Sequence, residues 1–310
     1  MHAAVVTSFA APPTYSEYPE PVAHRRDEQV VDVVAAALHP LVRSRADGSH
    51  YSSDGALPLV PGIDAVVRDA SGSLLYALVG DSTLGTMAER TVVEQDRCVP
   101  LPAGVDPVLV AAALNPAMSS WVALRRRIEF RRGARVLVTG ATGSSGRMAV
   151  QIAKLFGAGE VIAAGRNEAK LAELPALGAD RTITLDRFAE AADVDVVLDY
   201  LWGEPTARAM VDLLTHRRDR GRPLTWIEIG SMAGQTAPIP SAALRSARLE
   251  LVGSGLGSVP GKDFRRELAA IVEAVGDGRL DVRARAVPLA DVEQTWTSSV
   301  GADERVVFTV

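Results

Sequence analysis

The sequence predicts an α/β protein in which a doubly wound parallel sheet is inserted into a mostly β, barrel-like domain. Residues 136–155 have the pattern of a buried strand, a glycine-rich turn and a helix. Residues 133–252 alternate apolar strands with amphipathic helices, which is typical of a parallel sheet covered on both faces. Short β-branched or alternating runs flank that region. The length of 310 residues suits two domains.

The first part of the chain is predicted to form short strands. Clusters of Pro, Gly, Ser and Asp separate the β-branched or alternating runs. Residues 10–21 are too rich in proline for a regular element. Strands of this length and spacing favour a small, partly open barrel. The predicted strands are 3–6, 30–37, 65–67, 74–79 and 89–93.

A helical region follows. Asp106 as an acidic cap and Pro107 in the first turn predict a helix that extends to residue 113. Asn115-Pro116 is expected to break it, and residues 117–127 to begin a second helix. The basic run at 125–127 is expected to cap and solvate the end of that helix, with phosphate binding as the alternative.

The alternating region supplies the parallel sheet. Its predicted strands are 136–139, 161–164, 181–184, 194–198, 225–229 and 249–253. Its predicted helices are 148–156, 167–174, 206–213 and 241–246. The remaining residues contain a helix at 262–275 and strands at 284–288 and 305–310, which complete the first domain. We therefore expect a catalytic domain formed by 1–116 and 253–310, and a nucleotide-binding domain at 117–252.

The glycine-rich turn predicts a dinucleotide site. Gly140, Gly143 and Gly146 have G-x-x-G-x-x-G spacing directly between strand and helix. A diphosphate needs exposed backbone N–H groups at a helix N-terminus, and side chains at the closest points would hold it away. Thr142, Ser144 and Ser145 belong to the same candidate cofactor-binding set.

The end of the next strand indicates which dinucleotide. NAD sites commonly have an acidic residue there for the ribose hydroxyls, but this chain has Gly165, followed by Arg166 and Asn167. Arg166, with Lys170 one helical turn further on, suits a 2′-phosphate. The prediction is NADPH, and the alternative is that Arg166 and Lys170 are solvated helix residues.

Composition and charge limit the other function classes. The net charge of −5 argues against a general electrostatic grip on nucleic acid. Cys98 is the single cysteine, so no intramolecular disulfide can form, and a cytoplasmic protein is expected. No apolar run of membrane-spanning length is expected. The five histidines have no metal-ligand spacing; they are His2, His24, His39, His50 and His216.

Several motifs together resemble the medium-chain dehydrogenase/reductase superfamily, in its zinc-independent, quinone-oxidoreductase-like branch. They are the glycine turn 138–146 and the segments Leu59-Val60-Pro61-Gly62-Ile63-Asp64, Leu177-Gly178-Ala179-Asp180, Asp195-Val196-Val197-Leu198-Asp199 and Ile229-Gly230-Ser231. The resemblance implies a GroES-like catalytic domain, a Rossmann domain, a small-molecule substrate and a homodimer. The zinc-dependent branch has Gly-His-Glu near Gly62, and here that histidine is missing, so no metal is expected.

The resemblance also implies where the nicotinamide would lie. It places His39, Tyr51 and Asn115 near the reacting end as candidate catalytic residues. The alternatives are a structural histidine, an aromatic lid and a helix cap, respectively. Small residues at two later strand ends are further cofactor-binding candidates, with tight turns as the alternative; they are Gly230, Ser231, Gly253 and Ser254.

These observations predict an NADPH-dependent, metal-free oxidoreductase. Without a metal, the natural acceptors are quinones or the C=C bond of α,β-unsaturated carbonyl compounds, with an imine in a biosynthetic pathway as a variant. One alternative is a non-catalytic NADPH-binding sensor or structural protein. Another is an alcohol dehydrogenase.

Overall fold

The chain forms two compact units. The computed structural model describes residues 1–50, 53, 55–80, 82–298 and 304–310. The first unit consists of residues 1–115, 268–278 and 282–310, and the second of 116–267 and 279–281. The second unit thus includes residues 253–267. Buried Glu267 accepts hydrogen bonds from Trp121 Nε1 and Arg126 Nε, both at 2.7 Å, and these bonds hold this segment in that unit.

The strands and helices are numbered in chain order. The strands are β1 (His2–Val5), β2 (Thr14–Glu17), β3 (Glu28–Leu38), β4 (Asp64–Arg68), β5 (Leu74–Leu78), β6 (Arg90–Glu94), β7 (Cys98–Pro100), β8 (Arg135–Thr139), β9 (Glu160–Gly165), β10 (Arg181–Thr184), β11 (Val196–Asp199), β12 (Leu224–Glu228), β13 (Leu249–Gly253), β14 (Ala284–Pro288) and β15 (Arg305–Thr309). The α-helices are α1 (Pro40–Ala46), α2 (Pro107–Val122), α3 (Ser144–Leu155), α4 (Glu168–Leu171), α5 (Gly203–His216), α6 (Ser241–Arg245), α7 (Gly261–Gly276) and α8 (Val292–Thr297). Single 3₁₀ turns lie at Gln95–Arg97, Leu174–Leu177, Phe188–Ala191, Leu256–Ser258 and Leu289–Asp291, and a π-helical turn at Ala123–Arg127.

The first unit is a mostly antiparallel β structure. Its main sheet has the strand order β14-β15-β3-β4-β5-β7, and β6 pairs with β3. Only the β14–β15 pair of this path is parallel. The expectation that residues 10–21 lack a regular element is wrong, because β2 pairs with β1 from His2↔Glu17 to Val5↔Thr14. The four residues of β2 lie beyond Pro12-Pro13 and before Pro19, so the prolines border the strand without interrupting its ladder.

Helix α2 is continuous, so the predicted break at Asn115-Pro116 is wrong. Pro116 removes one helical N–H bond, but Leu114 and Ala117 on either side of it are fully buried, and this packing outweighs the loss. With its π-helical turn, the described helix Pro107–Arg127 has a length and apolar composition that could cross a membrane. Most of its apolar window, 72%, is buried inside the protein, as in a core helix.

The second unit is built on a parallel sheet with the order β10-β9-β8-β11-β12-β13. Its apolar strands pack under helices such as α5, and Leu137, Val197 and Trp226 are fully buried. The predicted helix at 167–174 is wrong in length, because α4 ends at Leu171 and a 3₁₀ turn begins at Leu174-Pro175. The α conformation is unfavourable for a residue that directly precedes a proline. The two units confirm the predicted fold class.

Candidate functional site

The glycine turn joins β8 to α3 with almost no free space. Gly140 has a φ of 66°, which favours glycine, and Gly143 is the N-cap residue of α3. A Cβ atom on Gly146 would lie 2.3 Å from the carbonyl oxygen of Gly140, so a side chain there would displace the turn. Half-buried Thr142, Ser144 and Ser145 complete the turn. The positive dipole end of α3 therefore follows an N-cap residue that has no side chain.

The end of β9 lies beside this turn. Ala141 N donates to Ala164 O at 3.0 Å, which joins the turn to β9. A Cβ atom on Gly165 would lie 3.0 Å from Thr142 Cγ2, so an acidic side chain at residue 165 would require Thr142 to move. Arg166 is exposed and has no partner among the described residues. This strand end thus offers an unpaired cation beside a position where any side chain would crowd Thr142.

Asn167 and Lys170 have distinct local roles. Asn167 is the N-cap of α4, and its Oδ1 accepts a hydrogen bond from Lys170 N at 3.1 Å. The side-chain oxygen of Asn167 is therefore already engaged, whereas its amide nitrogen has the donor character that a phosphate needs. The side chain of Lys170 is half-buried and lies one helical turn from Arg166. The structure thus brings the three predicted residues together around α4.

Asp199 organises the next strand end, a role that the motif at residues 195–199 does not reveal in the sequence. Its carboxylate is fully buried at the end of β11. Oδ1 accepts from Thr139 Oγ1 at 2.6 Å and from the backbone N–H of Leu201 at 2.9 Å. Oδ2 accepts from Thr206 Oγ1 at 2.6 Å and Trp226 Nε1 at 2.9 Å. One carboxylate thus ties the end of β8, the turn after β11, α5 and β12 together.

The later strand ends form close turns. Gly230 N donates to Asp199 O at 3.1 Å, and Ser231 follows it half-buried. Ser254 N donates to Glu228 O at 2.8 Å. The carbonyl oxygen of Gly253 accepts a hydrogen bond from Arg127 Nε at 2.8 Å. These four predicted positions therefore lie at the carboxyl ends of β12 and β13, and tight turns explain part of their small size.

The contacts of Arg127 show that the basic run at residues 125–127 is more than a solvated helix end. Besides Gly253, Arg127 binds the carbonyl oxygen of Ser258 through Nη1 at 3.1 Å. Arg126 pairs with Glu267. The charges of residues 125–127 are placed by a π-helical turn, and sequence periodicity at 3.6 residues cannot anticipate that irregularity.

His39 lies in the first unit and is fully buried. Its Nε2 is 3.0 Å from Asp64 Oδ1, and Asp64 Oδ2 accepts from Tyr76 Oη at 2.6 Å. His39 Nδ1 has no partner among the described residues. Burial raises the pKa of Tyr76 well above its usual value, and the charge of Asp64 adds to that. The phenol therefore donates to Asp64, and His39 belongs to a buried polar cluster.

Arg305 lies near the same cluster, although no local motif in the sequence marks it. Its Nη1 donates to Leu38 O at 3.2 Å. Burial lowers the pKa of Arg305 to about 10, while nearby Asp64 opposes that change. Of the other two catalytic candidates, Asn115 lies inside α2 and caps no helix end, and Tyr51 lies outside the described residues.

No cluster of three or more His, Cys, Asp or Glu residues with metal-binding geometry is found among residues 1–50, 53, 55–80, 82–298 and 304–310. Cys98 is half-buried, and burial, followed by the charge of Asp96, raises its pKa to about 11. A thiolate ligand is therefore disfavoured at that residue.

Comparisons with known proteins agree with this architecture. Residues 146–273 match the family model described as zinc-binding dehydrogenase. A probable NADPH-dependent quinone reductase of Emericella nidulans is 29% identical, over 99% of each chain. A chloroplastic NADPH-dependent alkenal/one oxidoreductase of Arabidopsis thaliana is 33% identical, over 56% of this chain and 50% of the relative. The quinone oxidoreductase of Thermus thermophilus, also solved with NADPH, is 26% identical and superimposes with a TM-score of 0.85 over 100% of both chains.

Proposed function

The chain belongs to the medium-chain dehydrogenase/reductase superfamily, in its quinone-oxidoreductase-like branch, and from this premise we propose that it is an NADPH-dependent reductase. Its acceptors are quinones or the activated C=C bond of α,β-unsaturated carbonyl compounds. The observation that carries the proposal is the pairing of a close-packed glycine turn with Gly165-Arg166, in a chain similar along its whole length to a probable NADPH-dependent quinone reductase.

The residues present fit NADPH. The turn at Gly140, Gly143 and Gly146, with Ser144 and Ser145, would hold the diphosphate. Arg166, Asn167 and Lys170 would hold the 2′-phosphate, because a guanidinium can engage phosphate bidentately. Gly230, Ser231, Gly253 and Ser254 would line the side of the nicotinamide. When bound, NADPH supplies the hydride.

The acceptor is electron-poor, so its reduction needs no metal as Lewis acid. The task of the protein is to hold the acceptor and to stabilise the negative charge that develops on its oxygen. The proposed catalytic residues remain His39, Tyr51 and Asn115. In the described structure the Nε2 of His39 is engaged by Asp64, so Nδ1 is the atom that His39 would use.

The domain roles follow the same proposal. We assign the GroES-like catalytic domain to 1–116 and 253–310, and the NADPH-binding domain to 117–252. A cytoplasmic homodimer is proposed as well. The dimer is supported by β13, which is an edge strand of its sheet and has exposed Leu251; exposed Leu244 lies shortly before it in the chain. Light scattering on the wild type and on Leu251→Lys tests it: a dimer that becomes a monomer is expected, and a monomeric wild type would overturn it.

The activity is tested by NADPH oxidation against a panel of acceptors. The panel contains a quinone, an enone, an enoyl thioester, a cyclic imine and a saturated ketone, and metal analysis accompanies it. Turnover with the quinone or the enone, without bound zinc, is expected. Tight NADPH binding with no turnover would favour a sensor, and ketone reduction that depends on zinc would favour an alcohol dehydrogenase.

A further inference from the structure

Tyr200 occupies the centre of the carboxyl edge of the parallel sheet. It directly follows β11 and is almost completely buried, at 7% exposure. A Cβ atom on Gly140 would lie 3.3 Å from Tyr200 Cβ, and one on Gly230 would lie 3.7 Å from Tyr200 Cδ1. Tyr200 thus packs between glycines at the ends of β8 and β12.

The strand order assigns this region to one half of the dinucleotide. Arg166 marks the end of β9 for the adenosine 2′-phosphate, and the glycine turn follows β8. A dinucleotide in such a sheet crosses the point where the strand order reverses, which here lies between β8 and β11. The nicotinamide riboside half would therefore lie over β11 and β12, where Tyr200 is.

The hydroxyl of Tyr200 is paired with Ser119 on α2. Tyr200 Oη and Ser119 Oγ are 2.9 Å apart, and Ser119 Oγ donates to Pro116 O at 2.8 Å. Because a serine hydroxyl has one hydrogen, Tyr200 must be the donor in their mutual bond. Ser119 Oγ then keeps one lone pair, and the residue is half-buried.

We propose that Tyr200 is a positioning residue that fixes Ser119 Oγ to accept a hydrogen bond from the nicotinamide riboside half of NADPH. The donor on the cofactor is either the carboxamide N–H or a ribose hydroxyl. This inference rests on the proposed NADPH-dependent function and adds to it a role for Tyr200.

The environment of Tyr200 favours orientation over proton transfer. Burial raises the pKa of Tyr200 to about 12. The phenol therefore keeps its proton at neutral pH. Tyr200 N also donates to Thr139 Oγ1 at 3.2 Å, so the residue is held at its backbone as well.

The test compares Tyr200→Phe, Ser119→Ala, their double variant and Ser119→Thr, which keeps a hydroxyl. Affinity for NADPH is measured by fluorescence titration. Each single variant is expected to weaken NADPH binding about fivefold, the size of one hydrogen bond. The double variant should bind no more weakly than Ser119→Ala, because the two residues act as a pair, and Ser119→Thr should bind like the wild type.

Adenosine 2′,5′-bisphosphate is the matched control ligand, because it lacks the nicotinamide half. Its affinity should be equal in all variants. If it fails to bind the wild type, the proposed NADPH function itself is wrong. If it binds normally but the variants retain wild-type affinity for NADPH, or if Tyr200→Phe weakens both ligands equally, the role of Tyr200 is overturned and the NADPH function stands.

The reduced 3-acetylpyridine analogue of NADPH identifies the donor, because a methyl ketone replaces the carboxamide. Loss of the Ser119→Ala effect with this analogue supports the proposal with the carboxamide N–H as donor. Persistence of the effect supports it with a ribose hydroxyl as donor.

Discussion

Asp199 Oδ2 accepts a hydrogen bond from Trp226 Nε1 at 2.9 Å, and this bond joins the side chains of β11 and β12 in the interior of the second unit. The same oxygen also accepts from Thr206 Oγ1. Each oxygen of this buried carboxylate thus accepts from at least two donors. If an asparagine replaced Asp199, its NH₂ group would face one of those sets of donors.

Asp199→Asn is therefore expected to lower the free energy of unfolding by about 3 kcal/mol, because hydrogen bonds to a charged group contribute about 1.5–3 kcal/mol each. Urea denaturation followed by tryptophan fluorescence measures this. Asp96→Asn, at an exposed site, is the control and should change stability by less than about 0.5 kcal/mol. Equal stabilities of the two variants would contradict the role of Asp199.

Gly146→Ala should disrupt the glycine turn. The added methyl group would lie 2.3 Å from the carbonyl oxygen of Gly140, and overpacking of this kind costs about 1–3 kcal/mol. We expect lower thermal stability and at least a tenfold loss of NADPH affinity, measured by calorimetry. Gly261→Ala is the matched control, because open space surrounds Gly261 at the start of α7. Normal NADPH binding by Gly146→Ala would rule out this turn as the diphosphate site.

Arg166→Ala should reduce the preference for NADPH. Loss of a charge-assisted bond to phosphate is expected to raise the KM for NADPH about tenfold or more and to leave the KM for NADH almost unchanged. Steady-state kinetics with both cofactors measures the ratio. Arg208→Ala, which removes an exposed arginine from α5, should change neither KM. A wild-type preference for NADH would refute the assignment of the 2′-phosphate site.

Glu228→Gln should stabilise the protein in a pH-dependent way. Burial, and then the charge of Asp199, raises the pKa of Glu228 in the folded state. Folding therefore favours the protonated carboxyl, and stability falls as pH rises through the folded-state pKa. The glutamine variant removes this loss, so it should be more stable than the wild type at pH 7.5, with a difference that shrinks toward pH 4.

Urea unfolding at several pH values measures that difference. Glu129→Gln, at an exposed site, serves as the control and should show a much smaller dependence on pH. A constant difference between Glu228→Gln and the wild type across the pH range would show that the carboxyl of Glu228 is not penalised by its surroundings.

Local patterns explain which features the sequence could predict. Some features depend only on residues that are neighbours in the chain, so spacing and periodicity were sufficient to predict them. They are the glycine turn, Gly165-Arg166 and the bounds of β10 and β13. The cluster of His39 and Asp64 joins residues 25 positions apart, and Tyr200 meets Ser119 across 81 positions. Such pairings are decided by tertiary packing, which one sequence does not encode in any local period.

Pro116 illustrates the opposite case. Its local preference is to end a helix, and the sequence-based prediction followed that preference. The apolar residues on both sides of Pro116 are fully buried, and their packing keeps α2 continuous. Glu267, beyond residue 252, is likewise placed by tertiary contacts, because it accepts hydrogen bonds from Trp121 and Arg126.

The place of β15 in the first sheet orders the events of biosynthesis. β15 lies between β14 and β3. Arg305 of β15 donates a hydrogen bond to Leu38 of β3, which is 267 positions away in the chain. During synthesis, β3 emerges from the ribosome long before its partner, while residues 116–267 of the second unit are already complete. The parallel sheet can thus fold first. Until β15 is synthesised, the edge of β3 that pairs with it stays unpaired, and a chaperone could bind that exposed edge.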